Sequence, residues 1–210
     1  MSQNEDTLGF SQTQVDQQNL MSIMFKGYAI ISADGWIADA AGAMPDALRI
    51  EADWVHFQNA LDAADVTLMG RHTHEAAPNV RQRRRLVVSR SVRAMLKEHD
   101  GAWWVNADHV TPQSAATVVS GSTAEVAVVG GTGVFSWILD DARYQEFHLS
   151  VAHDVHLGVG VPLLNGAVGY DQAIQKLEGH GLVLKERRWL DQSAGLELLV
   201  FSGSEGAEGA

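Results

Sequence analysis

The 210-residue chain sets 15 lysines and arginines against 26 acids, and its formal net charge of −11 argues against general nucleic-acid binding. With 46% hydrophobic and 20% charged residues it has the composition of one ordinary globular domain. It contains no cysteine, which excludes disulfides, thiolate metal sites and thiol catalysis, and no apolar run reaches the roughly 18 residues of a membrane span.

Residues 1–22 are polar and Gln-rich and lack the basic and apolar regions of a secretory signal. They are expected to be disordered, as is the tail over 203–210, and the cytoplasm is the expected compartment. "FKGYAII" (25–31) is a β-rich apolar run that ends at "SADG", a turn composition. A loop rich in Gly and Ala, with Met44 and Pro45, leads to a helix around 49–63. Ile50, Trp54, Phe57 and Leu61 form one apolar stripe on it. "DVTLM" (65–69) and "RLVVS" (85–89) read as short buried strands. "SVRAMLKEH" (91–99) suits a short helix capped by Ser91, and "AWWVN" (102–106) a strand. Thr111 is the expected N-cap of a helix with Pro112 at its first position. "EVAVV" (125–129) is a strand, "VFSWILDDA" (134–142) a helix, and "EFHLSVAH" (146–153) an alternating strand. The chain closes with two strands around a turn at 191–195. This alternation predicts an α/β fold: a mostly parallel central sheet flanked by helices, with a C-terminal antiparallel hairpin. Small molecules are expected at the carboxyl ends of its strands.

The strand at 125–129 ends in Gly130, Gly131 and Gly133, where a helix begins. Glycines at a helix N-terminus let a phosphate approach unpaired N–H groups; they also serve a tight turn. The P-loop pattern is absent, and Gly131, Gly133 and Ser136 only approximate a dinucleotide fingerprint. Two other strand ends carry anion-binding chemistry: Gly70, Arg71 and Thr73 after the second strand, and Ser89, Arg90 and Ser91 after the third. In a parallel sheet all three point into one crevice, as binding of NADPH requires. Arg71, Arg81, Arg83, Arg84, Arg85, Arg90 and Arg93 crowd between 71 and 93 with one acid, Glu75, as a solvated basic face or a local anion site. His72 and His74 have H-x-H spacing, but the turn they occupy favours the cofactor side or solvent, and no metal site is expected.

The segments "SADGWIA", "AMP", "DWVHF", "LMGRHT", "VVSRS", "VVGGTGVF" and "FHLSVAHDVHLGVGVPLL" occur in an order that resembles the dihydrofolate reductase-like superfamily. They most resemble the reductase domain of riboflavin biosynthesis, the RibD C-terminal domain family, over a domain expected at 23–202. The resemblance implies an NADPH-dependent reductase. Gly70, Arg71 and Thr73 match its first phosphate-contacting turn, and Ser89 and Arg90 its 2′-phosphate site. Gly130 and Gly131 match its paired glycines, with the amides of Thr132, Gly133 and Val134 on the pyrophosphate. Ile30 and Ile37 match positions lining the nicotinamide. Asp53 matches the carboxylate with which dihydrofolate reductases hold and protonate a pterin; at the rim of an apolar cleft its pKa would rise, fitting it to donate a proton. Asp34 matches the Ser-x-Asp-Gly turn that faces substrate in the riboflavin family, where it would bind substrate or assist the proton. The implied reaction is hydride addition at the ribosyl C1′ of a pyrimidine like 5-amino-6-(5-phosphoribosylamino)uracil. A pterin reductase and a non-catalytic nucleotide-binding regulator are the alternatives. The zinc-deaminase motifs of the bifunctional proteins are absent, and His153 stands where the family often has proline. The expected partners are a small heterocyclic substrate and a second copy of the chain in a homodimer, with no nucleic acid and no membrane.

Overall fold

The computed structural model describes residues 22–203. The disorder expected over 1–22 and 203–210 lies outside them, except at Ser22 and Gly203, which are strand ends. In chain order the first half contains β1 (Ser22–Ser32), β2 (Trp36–Asp39), α1 (Glu51–Ala63), β3 (Val66–Gly70), α2 (Arg71–Ala76), β4 (Arg85–Val88), β5 (Met95–Lys97) and β6 (Trp103–Val105). There follow α3 (Pro112–Ser120), β7 (Thr123–Val128), α4 (Thr132–Asp141), β8 (Tyr144–Ala152), β9 (Gly160–Pro162), α5 (Gly169–Gly179), β10 (Leu182–Asp191) and β11 (Leu196–Gly203).

Alternate side chains of β1 fill both sides of the sheet, Phe25 and Ile31 on one, Tyr28 and Ile30 on the other. A strand apolar on both faces belongs at the centre. β1 lies there, parallel to β7 and β8, in the order β10-β11-β8-β1-β7-β3-β4-β6-β5. β3, β4 and β6 are also parallel, while β10 and β11 form the expected antiparallel hairpin on β8. The helices cover both faces. α1 packs Phe57, Ala60 and Leu61 on Tyr28 and Ala127, whereas α3, α4 and α5 share the large core on the opposite face. That core includes Phe135, Tyr144 and Phe147, with ring centroids 5.5 and 5.0 Å apart, and the Tyr144 hydroxyl donates to the Phe135 carbonyl at 3.1 Å. α3 starts as the sequence predicts: Thr111 accepts from the Ser114 N–H, and Pro112 fills the first turn.

Three expectations change. Residues 91–99 are not a helix. The Ser91 N–H goes to the Ser89 hydroxyl, Asn106 holds the backbone of Val92 and Ala94, and Met95–Lys97 pair with β6 as an antiparallel edge. The sheet edge, not local propensity, decides this segment. α1 begins at Glu51, and Trp54 is 54% exposed rather than buried. The face turned to the sheet carries Asp53, His56, Phe57, Ala60 and Leu61, spaced i, i+3, i+4, i+7 and i+8, and Trp54 borders it. A two-stranded ribbon of β2 and β9, and the helices α2 and α5, complete the fold beyond the predicted elements.

Candidate active site

β7, β3 and β4 are neighbours and deliver their carboxyl ends side by side. The Val129 N–H donates to Leu68 O at 2.9 Å, and the Gly70 N–H donates to Gly130 O at 2.8 Å. The glycine turn after β7 and the turn that begins at Gly70 are therefore in direct contact, and Gly130–Gly131 is a cis peptide.

The glycines of this turn divide by cause. Gly130 has φ +92°, and a Cβ on it would stand 2.7 Å from the Phe135 ring, so the fold itself requires glycine. Gly131 is the N-cap of α4 at φ −73°, and Gly133 lies in the first turn; a Cβ on either meets nothing within 4 Å. The N–H groups of Val134 and Phe135 close on Gly131 O at 2.9 and 3.1 Å. Those of Thr132 and Gly133 have no acceptor among the described residues. The Val134 amide expected on a pyrophosphate is thus used inside the helix. Two free amides remain at a helix N-terminus, on a surface bare of side chains. The Thr132 hydroxyl donates to the Pro162 carbonyl and pins β9 to α4.

On the β4 side, Ser89 is buried and its hydroxyl lies 2.8 Å from that of Ser91. Arg90 and Arg93 are exposed at the same strand end, with no charged partner among the described residues. Arg71 opens α2, exposed and 3.8 Å from Glu75, and Thr73 is half-buried in that helix. The rest of the basic run does not join them. Arg81 and Arg83 grip Asp62, Arg83 also reaches Gln58 Oε1 at 2.8 Å, and buried Arg85 donates to Ala77 O at 2.6 Å. These tie the loop before β4 to α1 and α2. The histidines are dispersed: His72 lies near Glu75, His74 bonds Asp100 at 2.9 Å, and His153 bonds Glu197 at 3.0 Å.

Ile30 is buried against Leu48, Ala152 and Leu196, while Ile37 is half-buried on β2 against the large core. The structure places them in different apolar clusters. Asp53 projects from the first turn of α1 toward β8. Burial raises its pKa above the ordinary carboxylate value, and the Ser150 hydroxyl, which bonds it, opposes the rise. Asp34 is its opposite. Burial acts to raise its pKa, but the Ser32 hydroxyl at 2.6 Å and the N–H groups of Leu157 (3.2 Å) and Gly158 (2.7 Å) outweigh burial and lower it. A carboxylate with its oxygens so engaged is a poor proton donor and has little left for a substrate. Gly35 beside it packs on Tyr170 and Gly169, where a Cβ would meet the Tyr170 nitrogen at 2.2 Å. The turn is a structural latch between β1, the 157–158 loop and α5.

Sequence reasoning missed Ser150, and with it His148 and Glu146 on the same face of β8. The signal was present: "EFHLSVAH" has a polar residue at every second position of a strand that helices cover on both faces. A cavity of about 310 Å³ lined by Leu139, Arg143, Tyr144 and His180 opens at the other end of the sheet and holds none of the predicted residues.

A family model for dihydrofolate reductase matches residues 30–165. No curated protein sequence matches the chain. Among solved structures, a putative riboflavin biosynthesis protein from Shewanella sp. PV-4 superposes with a TM-score of 0.59 at 17% identity, over 87% of this chain and 99% of that one. A diaminohydroxyphosphoribosylaminopyrimidine deaminase/5-amino-6-(5-phosphoribosylamino)uracil reductase from Thermotoga maritima superposes with a TM-score of 0.55 at 14% identity. The match covers 90% of this chain and 58% of that longer protein. The family match spans more than half of the sequence, and the chain belongs to the dihydrofolate reductase family.

Proposed function

We propose that the protein is an NADPH-dependent reductase of the riboflavin-biosynthesis type, acting on a pyrimidine that bears a phosphoribosylamino group. The observation that carries this reading is the start of α4. Gly131 and Gly133 are glycines the fold does not need, and they flank two free amides at a helix N-terminus. That donor set fits a pyrophosphate. Ser89 and Arg90 fit a 2′-phosphate, with Arg71 across the crevice. Bound there, NADPH would supply the hydride.

The chain's own residues supply the rest. Thr132 and Gly133 hold the diphosphate, and Arg90 selects the phosphorylated ribose. Asp53 keeps its proton more readily than an ordinary carboxyl group and delivers it to the ring oxygen or nitrogen as hydride reaches C1′. Ser150 holds that carboxyl in place. Trp54, exposed next to Asp53, leans on Phe57 with ring centroids 5.9 Å apart and offers an aromatic wall to a planar heterocycle. Asp34 takes no part in the proton step. A pterin reductase is the second reading, favoured by the family match and by the half-buried carboxylate of Asp53 on α1.

The test is a titration with NADPH and NADH, followed through tryptophan fluorescence. NADPH should bind at least about tenfold tighter, roughly 1.4 kcal/mol, and Arg90→Ala should weaken NADPH far more than NADH. Absence of binding by either nucleotide overturns the reading. With binding established, pyrimidine and pterin acceptors distinguish the two substrates.

A further inference from the structure

Beneath α1 runs a polar column of which the reductase reading uses only Asp53 and Ser150. Asp53 and His56 are three residues apart, so they share one side of the helix, about 4.5 Å apart along its axis. Ser150, His148 and Glu146 alternate on one face of β8, roughly 6.7 Å apart. Helix and strand run in opposite directions and meet in two successive rungs. Ser150 stands beside Asp53 and lowers its pKa against the effect of burial, and His56 Nε2 lies 3.3 Å from His148 Nδ1. The second rung continues: His148 Nε2 is 3.2 Å from Glu146 Oε2, and Lys26 holds Glu146 at 3.6 Å and Glu125 at 2.7 Å. Tyr28 stacks on the His148 ring at 4.8 Å, and Glu186 and Arg188 face the pair from β10.

The chain of acceptors fixes where the protons sit. A carboxylate only accepts, so His148 carries its proton on Nε2 and leaves Nδ1 bare. His56 must then carry its proton on Nε2 and donate. Burial, with the neighbouring His148 and Arg188 adding to it, pushes His56 down to about 4, so both rings stay neutral near pH 7. A proton added at His148 Nδ1 would set two N–H groups against each other and turn the contact into repulsion.

We propose that His56 and His148 are positioning residues for Asp53: their hydrogen bond sets the height and register of α1 on β8, and so holds the Asp53 carboxyl against Ser150 and out of water. This deepens the reading of Asp53 as proton donor and rests on it for its catalytic meaning, but its test does not. His148→Leu removes the acceptor. His148→Asn keeps an acceptor at the place of Nδ1.

The experiment is side-chain NMR: long-range ¹H–¹⁵N spectra of the histidines in the native chain, and a ¹³C carboxyl titration of Asp53 in the native chain and both variants. Both rings should be neutral with the proton on Nε2. The Asp53 pKa should fall toward the ordinary carboxylate value in His148→Leu and stay near the native value in His148→Asn. A His56 proton on Nδ1, or an unchanged Asp53 in folded His148→Leu, overturns the proposal. If His148→Leu does not fold, His56→Phe keeps a ring, removes the donor and is read by the same change or constancy of Asp53. Nucleotide binding is not part of the readout. A chain in which Asp53 follows His148 but which binds no NADPH keeps the positioning and loses the reductase reading.

Discussion

A methyl group added at each glycine of the turn before α4 should have opposite effects within four residues. Gly130→Ala drives a Cβ into Phe135 at a left-handed φ, and should cost on the order of 1–3 kcal/mol. Gly131→Ala and Gly133→Ala meet no protein atom and narrow the unfolded ensemble, so each should stabilise the chain by about 0.4–1 kcal/mol. The same two changes should weaken NADPH tenfold or more, because the added methyl stands where the diphosphate must approach. Thermal melts beside nucleotide titrations check both halves; a loss of stability at all three positions would make the turn purely structural. The spacing of these glycines is legible in the sequence, but their division is not. It depends on the Phe135 ring and on which amides close the first turn of α4. The partners of Asp34 are hidden for a like reason: the Leu157 and Gly158 amides that engage its carboxylate lie 123 and 124 residues along the chain.

At the scale of elements, α1 decides most. Its helical period was legible, but its orientation was displaced toward Trp54 because hydrophobicity alone set the stripe, while the sheet beneath is partly polar at His148 and Ser150. A raised carboxyl pKa has a thermodynamic sign. The unfolded Asp53 releases its proton near 3.8 and the folded one at higher pH, so the folded state holds more protons between the two values. The stability this provides is complete below 3.8 and is lost as pH rises through the folded pKa. Asp53→Asn should therefore be more stable than the native chain at pH 7, with the gain shrinking as pH falls toward 3.8. It should keep NADPH binding and lose turnover. Denaturant melts across pH check the first claim; equal stability of the two chains at every pH would place Asp53 in water. Residues 91–99 show the opposite failing. Their helical composition is overruled by Asn106, whose two bonds to the 92–94 backbone no local pattern announces.

For the whole molecule, strand–helix alternation made the parallel sheet and the closing hairpin legible, since crossover helices leave few other topologies. The β2–β9 ribbon was not, because strands of four and three residues carry no readable period. The homodimer is a proposal, and β10 is where it is tested. β10 is the sheet's edge, with Val183, Leu184 and Trp189 exposed toward its ends and Lys185, Glu186, Arg187 and Arg188 between them. Central charges discourage indiscriminate strand addition. They leave the apolar ends for one defined partner copy. Sedimentation should show a dimer that Trp189→Glu weakens; a monomer at micromolar concentration would remove the homodimer.

The latch at Asp34 also bears on how the protein ages. Among aspartyl dipeptides, aspartate followed by glycine is the most given to rearrangement, because the glycine nitrogen attacks the side-chain carboxyl and closes a cyclic imide that reopens as isoaspartate. Here the carboxylate is held ionised by Ser32, Leu157 and Gly158, and the Gly35 N–H is committed to Ser32 O at 2.9 Å. Neither reactant is free to meet the other while the chain is folded. Isoaspartate at position 34, read by peptide mapping after long storage, should therefore report the time each molecule has spent unfolded, and native material should show almost none.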